Sequence, residues 1–461
     1  MRVLLLNPPF IKDFMRNARC EGVSISGTQW YPIWLAYCTG WLEKNGHQCK
    51  LIDAPPANMT YNDVMRETEK FLPQLLVMYS SWESFDNDIK IAKKLKKRIG
   101  CKIVFVGPWV TAQPDVIFQK FKNLDFIARG EFDNIVLDLA NEISPKSIKG
   151  LSFSKNKKIF HNKPRKPITG KELNDFPYVS DIYRRHLDIN NYHVIQQLHP
   201  FVDMFTGRGC DWGLCTFCLW VYTITNTKPK YRVRDVGNIV EEIKWIKKNI
   251  PQIKEIFFQD DMIPENRIKE ICNSVINEKL DIAWSTYSKA NLSYEALKLM
   301  KKSGCRMLHI GFETANQNIL NNIRKGITVN IMEKFIKNAK KAGIELHADF
   351  VFGFPGETEE TIKQTIKWAF KFDMETYQFS IPRIYLGTPM YEELSSKGWL
   401  KGIEPDYPHL SNERIRHWAK KATRDYYLSW SNIKKLNMSK IKRLIKPTII
   451  NLFPGMFWKR W

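Results

Sequence analysis

The first 145 residues alternate short apolar runs with stretches of helical periodicity. Runs at Arg2–Leu6, Gln48–Ile52, Leu75–Tyr79, Ile103–Val106 and Phe126–Ala128 read as buried strands. Ile33–Asn45, Asn62–Phe71, Asp86–Ile99 and Asn134–Ile143 lie between them and read as helices. Strands that alternate with helices predict a parallel, doubly wound α/β sheet. Such sheets bind ligands beyond the C-terminal ends of their strands. Those ends are Asn7-Pro8-Pro9, Asp53-Ala54-Pro55, Ser80-Ser81-Trp82-Glu83, Gly107-Pro108-Trp109 and Arg129-Gly130-Glu131. No G-x-G-x-x-G follows the first strand, so a dinucleotide is not the expected ligand.

Residues 146–200 read as a connector, with lysine-rich turns at Lys155–Lys158 and Lys163–Lys166. A second domain, residues 201–400, begins near Phe201. Its strand-like runs are Val202–Phe205, Glu255–Phe258, Ile282–Thr286, Met307–Phe312, Leu346–Phe352 and Gln378–Ile384. Helical patterns at Asn238–Asn249, Arg267–Glu278, Tyr294–Ser303, Asn316–Asn322, Ile331–Ala342 and Thr358–Phe372 separate them. That is about six βα units, short of the eight in a closed barrel. Residues 401–461 form a C-terminal region outside both cores.

Composition narrows the class. A chain of 461 residues with 44% apolar content holds globular cores. Nine unevenly placed cysteines argue against a disulfide framework, and Cys20, Cys38, Cys49, Cys101, Cys272 and Cys305 have no ligand-like spacing. The N-terminus lacks a signal-peptide pattern, and no apolar run reaches the roughly 18 residues of a spanning helix. The expected location is cytoplasmic. A net charge of +23 fits an anionic partner or a lysine-rich proteome.

The remaining three cysteines, Cys210, Cys215 and Cys218, are spaced C-x4-C-x2-C. Thiolates suit zinc or iron–sulfur clusters. Structural zinc usually pairs two short ligand arms, and no second arm exists here. A cubane normally takes four cysteines, so three would leave one iron open. Buried or zinc-binding thiols remain the other reading.

The stretch Gly207-Arg208-Gly209-Cys210 through Cys215-Thr216-Phe217-Cys218 resembles the cluster loop of radical S-adenosylmethionine (SAM) enzymes. The usual spacing there is C-x3-C-x2-C, and the extra residue here reads as a longer loop. The N-terminal segments LLLNPPF, YPIWLAYCTGWLEKNGHQCKLIDA, IVFVGPWVTAQP and IARGEFD resemble the cobalamin-binding domain fused to one class of these enzymes. The Asp-x-His-x-x-Gly cobalamin motif is absent, so no histidine lower ligand is expected.

The resemblance implies an open partial (β/α)6 barrel after a cobalamin-binding Rossmann-like domain. It implies a [4Fe–4S] cluster on Cys210, Cys215 and Cys218, with SAM on the open iron. It places Gly311 and Glu313 near the ribose and methionine part of SAM, and Gly353, Pro355 and Gly356 beside the nucleoside. It brings Phe217 to the adenine and makes Ser285 and Lys289 expected polar contacts for the SAM carboxylate. It places cobalamin at Ser80, Ser81, Trp82, Gly107 and Trp109. Glu357 and Thr358 read equally as a helix start, and His309 and His347 as core histidines.

The implied chemistry is reductive cleavage of SAM to a 5′-deoxyadenosyl radical, hydrogen abstraction from an unactivated carbon, and methyl delivery from cobalamin. The implied family is that of cobalamin-dependent radical SAM C-methyltransferases and anaerobic magnesium-protoporphyrin ester cyclase-like proteins. The substrate is lipid-like or another small organic molecule, and the electron donor a flavodoxin or ferredoxin. A radical cyclase or C–C coupling enzyme is the alternative, followed by an RNA methylthiotransferase and a non-catalytic cobalamin sensor. Residues 1–145 lack a further cysteine triad, so nucleic acid is not an expected partner.

From Lys434 to Trp461 there are eight Lys or Arg and no acidic residue. Ile433, Leu436, Ile441, Leu444 and Ile445 share one helical face, and Phe453, Phe457, Trp458 and Trp461 follow. A basic amphipathic helix with an aromatic end reads as peripheral membrane contact, or as a helix packed on the barrel.

Overall fold

The computed structural model describes residues 1–16, 21–24, 27–223 and 231–429. The chain divides into two compact units. The first comprises Met1–Val194, His199–Gly209 and Leu219–Ile253, and the second Ile195–Leu198, Cys210–Cys218 and Lys254–Trp461.

All five N-terminal strands form. Their order is Gln48–Asp53, Arg2–Asn7, Leu75–Tyr79, Lys102–Val106 and Phe126–Ala128, every neighbour parallel. Leu75–Tyr79 is buried along its whole length, as a strand covered on both faces must be. Helices Ile33–Lys44, Tyr61–Phe71 and Phe85–Ile99, then the short pair Pro108–Ala112 and Pro114–Lys120, fill the crossovers, and Asp133–Ala140 follows the last parallel strand. Thr60 and Asp63 form a capping box that starts the second of these, and Gly100 ends the third at φ +76°. The strand order reverses at Arg2–Asn7, so the ligand crevice of such a sheet opens beside the ends of Arg2–Asn7 and Leu75–Tyr79.

The same sheet continues into the stretch read as a connector. Leu151–Lys155 and Lys158–His161 add two antiparallel strands. Asn156 and Lys157 turn the hairpin with φ of +51° and +62°. That conformation suits a two-residue type I′ turn, and it falls inside the lysine-rich turn read at Lys155–Lys158.

Five expected barrel strands form in the second unit, at Glu255–Phe258, Ala283–Ser288, Cys305–Glu313, Glu345–Val351 and Thr376–Ser380. They pair in parallel in chain order. Helices Glu265–Asn277, Tyr294–Lys302, Gln317–Asn322 with Val329–Ala342, and Glu359–Lys371 connect them. The first of the six expected strands also forms, at Phe201–Met204, and completes a six-stranded sheet; it and the helix Val236–Asn249 group with the first unit.

The expectation that residues 401–461 stand outside both cores is corrected for those the structure describes. Ile403, Tyr407, Leu410, Ile415, Ala419 and Ala422 are buried. The helix Asn412–Tyr427 packs on the last strand, where the Tyr427 hydroxyl donates to the Tyr377 carbonyl at 2.9 Å. The buried residues are thinly spaced among charged ones, which hides this face in the sequence. Cys20 and the basic segment Lys434–Trp461 lie outside the described residues. No helix among the described residues is long and apolar enough to cross a membrane.

Candidate functional site

Cys210, Cys215 and Cys218 occupy one half-buried loop, and none forms a disulfide. Gly213 N–H donates to Cys210 Sγ at 3.4 Å, and Cys218 N–H to the Cys215 carbonyl at 3.3 Å. Burial pushes the Cys215 thiol above its ordinary value; Lys325 opposes this, while Glu313 and Cys210 add to it. Those influences place the loop beside the end of the strand Cys305–Glu313.

That strand ends in a bulge between Gly311 and Glu313, and Glu313 is left-handed at φ +65°. The Lys325 ammonium donates to Glu313 Oε1 at 2.6 Å. A Cβ on Gly311 would stand 2.5 Å from that oxygen and 3.1 Å from the lysine nitrogen, so a side chain there would push the pair aside. Lys289 Nζ sits 3.9 Å from the centre of the Trp212 ring. Burial lowers its pKa, and Lys325 lowers it further. Two ammonium groups and one carboxylate therefore surround the cysteine loop.

Gly353, Pro355 and Gly356 follow the strand Glu345–Val351. Gly353 (φ +107°) and Gly356 (φ +91°) both need the left-handed region. Phe354 is buried and its ring lies 4.9 Å from that of Phe217. Thr358 does start a helix, in a capping box with Thr361. Glu357 instead turns inward. It is fully buried, accepts from Gly353 N–H at 3.3 Å and Thr361 Oγ1 at 2.7 Å, and burial raises its pKa to about 7.

Ser285 is elsewhere. Its strand runs on to Ser288, two residues past the expected end, so Ser285 lies inside the sheet at the level of Met307 and Glu345. It is fully buried, and its hydroxyl donates to Glu255 Oε1 at 2.7 Å and meets the Gln197 amide at 2.6 Å. The same amide reaches His309 Nε2 at 3.1 Å. His347 meets Thr376 Oγ1 at 2.7 Å. Ser285 is thus placed inside this buried network with His309 and not at a strand end, while His347 is bonded to Thr376.

In the first unit, the strand ends Ser80–Trp82 and Gly107–Trp109 come together. The Trp82 and Trp109 rings meet edge to face at 4.3 Å, Trp82 exposed and Trp109 buried. Gly107 has φ +121°, and a Cβ there would stand 3.0 Å from the Ser80 carbonyl. Trp109 Nε1 is buried with no hydrogen-bond partner among the described residues. The Ser80 hydroxyl is spent on Asp88 at 2.9 Å and that of Ser81 on Ser84 at 2.8 Å. Asp88 also pairs with Arg16 at 2.8 Å, and Arg16 meets Asn7 Oδ1 at 3.1 Å and the Pro8 carbonyl.

Comparison with known proteins finds a family match in each half of the chain. Residues 204–369 match the radical SAM superfamily and residues 23–140 the B12 binding domain. An uncharacterised methyltransferase of Pyrococcus horikoshii is 30% identical over 449 residues, 93% of each chain. The chain belongs to the cobalamin-dependent radical SAM family. The anaerobic magnesium-protoporphyrin IX monomethyl ester cyclase of Rubrivivax gelatinosus is 23% identical, over 86% of this chain and 70% of its own. Among solved structures, the radical SAM methyltransferase TsrM of Kitasatospora setae superposes with a TM-score of 0.68 at 17% identity, over 87% of this chain and 77% of its own. The cobalamin-dependent radical SAM enzyme OxsB gives 0.70 at 14%, over 98% of this chain and 72% of its own.

The cofactors of this radical SAM enzyme are therefore a [4Fe–4S] cluster, SAM and cobalamin. The residues fit them. Cys210, Cys215 and Cys218 are free thiols on one half-buried loop, and a cubane offers each thiolate its own iron. The Glu313 carboxylate and the lysine ammoniums match the amino and carboxylate groups of SAM. The Gly107 cradle and the unpartnered Trp109 N–H suit a large, amide-rich ligand such as cobalamin. Sequence reading missed Lys325, Arg16 and Asp88. Lys325 sits in a turn twelve residues after Glu313, and no strand end pointed to it.

Proposed function

We propose that this enzyme methylates an unactivated carbon of a small organic substrate. The observation that supports this most is the match to the Pyrococcus methyltransferase, which runs through both cofactor-binding segments. When bound, the cofactors supply a hydrogen-abstracting radical and a transferable methyl group. In this reading, residues 1–145 hold cobalamin around Trp82, Gly107 and Trp109, with Ser80 and Ser81 shaping the strand end. Residues 146–200 lead into the SAM-binding core at 201–400, and residues 401–461 follow it.

Cys210, Cys215 and Cys218 hold the cluster. Glu313 accepts a hydrogen bond from the SAM ammonium, and Lys289 faces its carboxylate. Gly311, Gly353, Pro355 and Gly356 let SAM lie close to the backbone, and Phe217 with Phe354 keeps water from it. A flavodoxin- or ferredoxin-type protein supplies electrons. The basic aromatic tail supports a lipid-like substrate presented at a membrane surface.

Product analysis tests methylation. Methyl transfer consumes two SAM per turnover, so S-adenosylhomocysteine and 5′-deoxyadenosine should accumulate in equal amounts with the methylated product. The similarity to the ester cyclase supports a second reading, radical cyclisation. That reaction would yield 5′-deoxyadenosine without S-adenosylhomocysteine.

A further inference from the structure

The turn Ile323–Gly326 touches both halves of the SAM-binding site. It follows the short helix Gln317–Asn322 and carries no residue singled out by a motif. Its backbone is unusual, with Arg324 at φ +53° and Gly326 at φ +65°. Left-handed residues cost energy unless surrounding contacts hold them, so the contacts of this turn matter.

Each residue of the turn makes one. The Ile323 carbonyl accepts from Thr216 N–H at 3.1 Å, inside the cysteine loop. The Arg324 carbonyl accepts from Trp212 Nε1 at 2.7 Å, in the same loop. The Lys325 ammonium holds Glu313 at 2.6 Å. Gly326 lies flat under the Trp212 indole, where a Cβ would overlap the ring. Lys289 covers that indole at 3.9 Å. The loop with one residue more than its relatives' usual spacing thus spends Trp212 on docking to this turn.

We propose that Ile323–Gly326 is a positioning element that fixes the cysteine loop and Glu313 to one another. Its carbonyls and glycine anchor the loop through Thr216 and Trp212. Its lysine holds the Glu313 carboxylate in place for the ammonium of SAM, and then offers its own charge to the SAM carboxylate. One rigid turn thereby sets the distance between the cluster ligands and the group that binds the amino acid end of SAM. This rests on the cofactor assignment above.

The test uses the full chain, reconstituted anaerobically with iron and sulfide. Gly326→Ala should lower bound iron per chain at least twofold, because the methyl group displaces the indole. Trp212→Ala should also lower it, and the double variant should lose no more than Trp212→Ala alone. Backbone strain at position 326 would persist in the double variant, whereas conflict with the indole cannot. Lys325→Gln should keep wild-type iron content but weaken SAM binding roughly 10-fold in equilibrium dialysis, as loss of a charged hydrogen bond does. Lys325→Arg should recover most of it. Additive losses in the double variant, or wild-type SAM affinity in Lys325→Gln, would overturn the proposal. The cofactor assignment fails separately, if wild-type protein itself takes up no cluster.

Discussion

Tyr407 donates its hydroxyl to the carbonyl of Gly353 at 2.9 Å, joining residues 54 apart in sequence. Gly353 is left-handed and tightly packed, since a Cβ would stand 3.0 Å from Pro405 and 3.1 Å from Ile415. The loop proposed to border the nucleoside is therefore backed by the segment after Trp399. Tyr407→Phe should lower stability by about 1 kcal/mol, the net worth of one hydrogen bond. Gly353→Ala should cost more, through strain and crowding together. Urea denaturation of the apoprotein measures both, and equal midpoints for the two variants and wild type would contradict this packing.

Glu357 makes stability depend on pH. Burial raises its carboxyl to about 7 in the fold, against 4.5 as the ordinary value. The folded chain then keeps a proton that the unfolded chain has lost. Its contribution is fully present below about pH 4.5 and falls away as pH rises through 7, by on the order of 3 kcal/mol at most. Asp53, raised by burial to about 7 against hydrogen bonds from Tyr192 and Asn7, adds a slope of the same sign. Denaturation at pH 5 and pH 8 should show Glu357→Gln losing less over this interval than wild type. Parallel losses would mean that Glu357 is ionised in the fold.

The cluster prediction is sharper. Replacing Cys210, Cys215 and Cys218 together by Ala should abolish both iron binding and 5′-deoxyadenosine formation. A variant that still assembles a full cubane would refute the ligand assignment. Removing these half-buried thiols should barely change stability of the apoprotein, since none is part of a disulfide.

What could be read from the sequence followed the length scale of each signal. Leu75–Tyr79 and its parallel neighbours were legible because a strand covered on both faces is a continuous apolar run. The cysteine loop was legible because its ligands lie within nine residues. The Lys325–Glu313 pair was not, because it depends on how a turn folds back on a strand end. Ser285 was misplaced by a strand boundary two residues short, which was enough to move it from inside the sheet to its end. The 158–161 strand was hidden because it is four residues long and mostly exposed, so it carries no apolar run.

The cobalamin site yields the last prediction. Gly107 must remain glycine, because its φ of +121° and the Ser80 carbonyl 3.0 Å from a Cβ both exclude a side chain. Gly107→Val should lower cobalamin retention after gel filtration and destabilise the first unit as well, so it does not isolate binding. Trp109→Phe comes closer. It keeps an aromatic ring in a buried position and removes the N–H, which has no partner among the described residues, together with part of the indole. No hydrogen bond of the apoprotein is lost, so any fall in apoprotein stability should be the modest cost of the smaller ring, which urea denaturation measures separately. If the N–H serves the corrin, Trp109→Phe should retain less cobalamin, by roughly 5- to 10-fold in affinity. The bound form should show the spectrum of cobalt without histidine coordination. His161 of this unit is engaged with Ser152 and Asp115, and His186 with Glu43. A histidine-coordinated spectrum, or undiminished binding by Trp109→Phe, would require a different seat for the corrin.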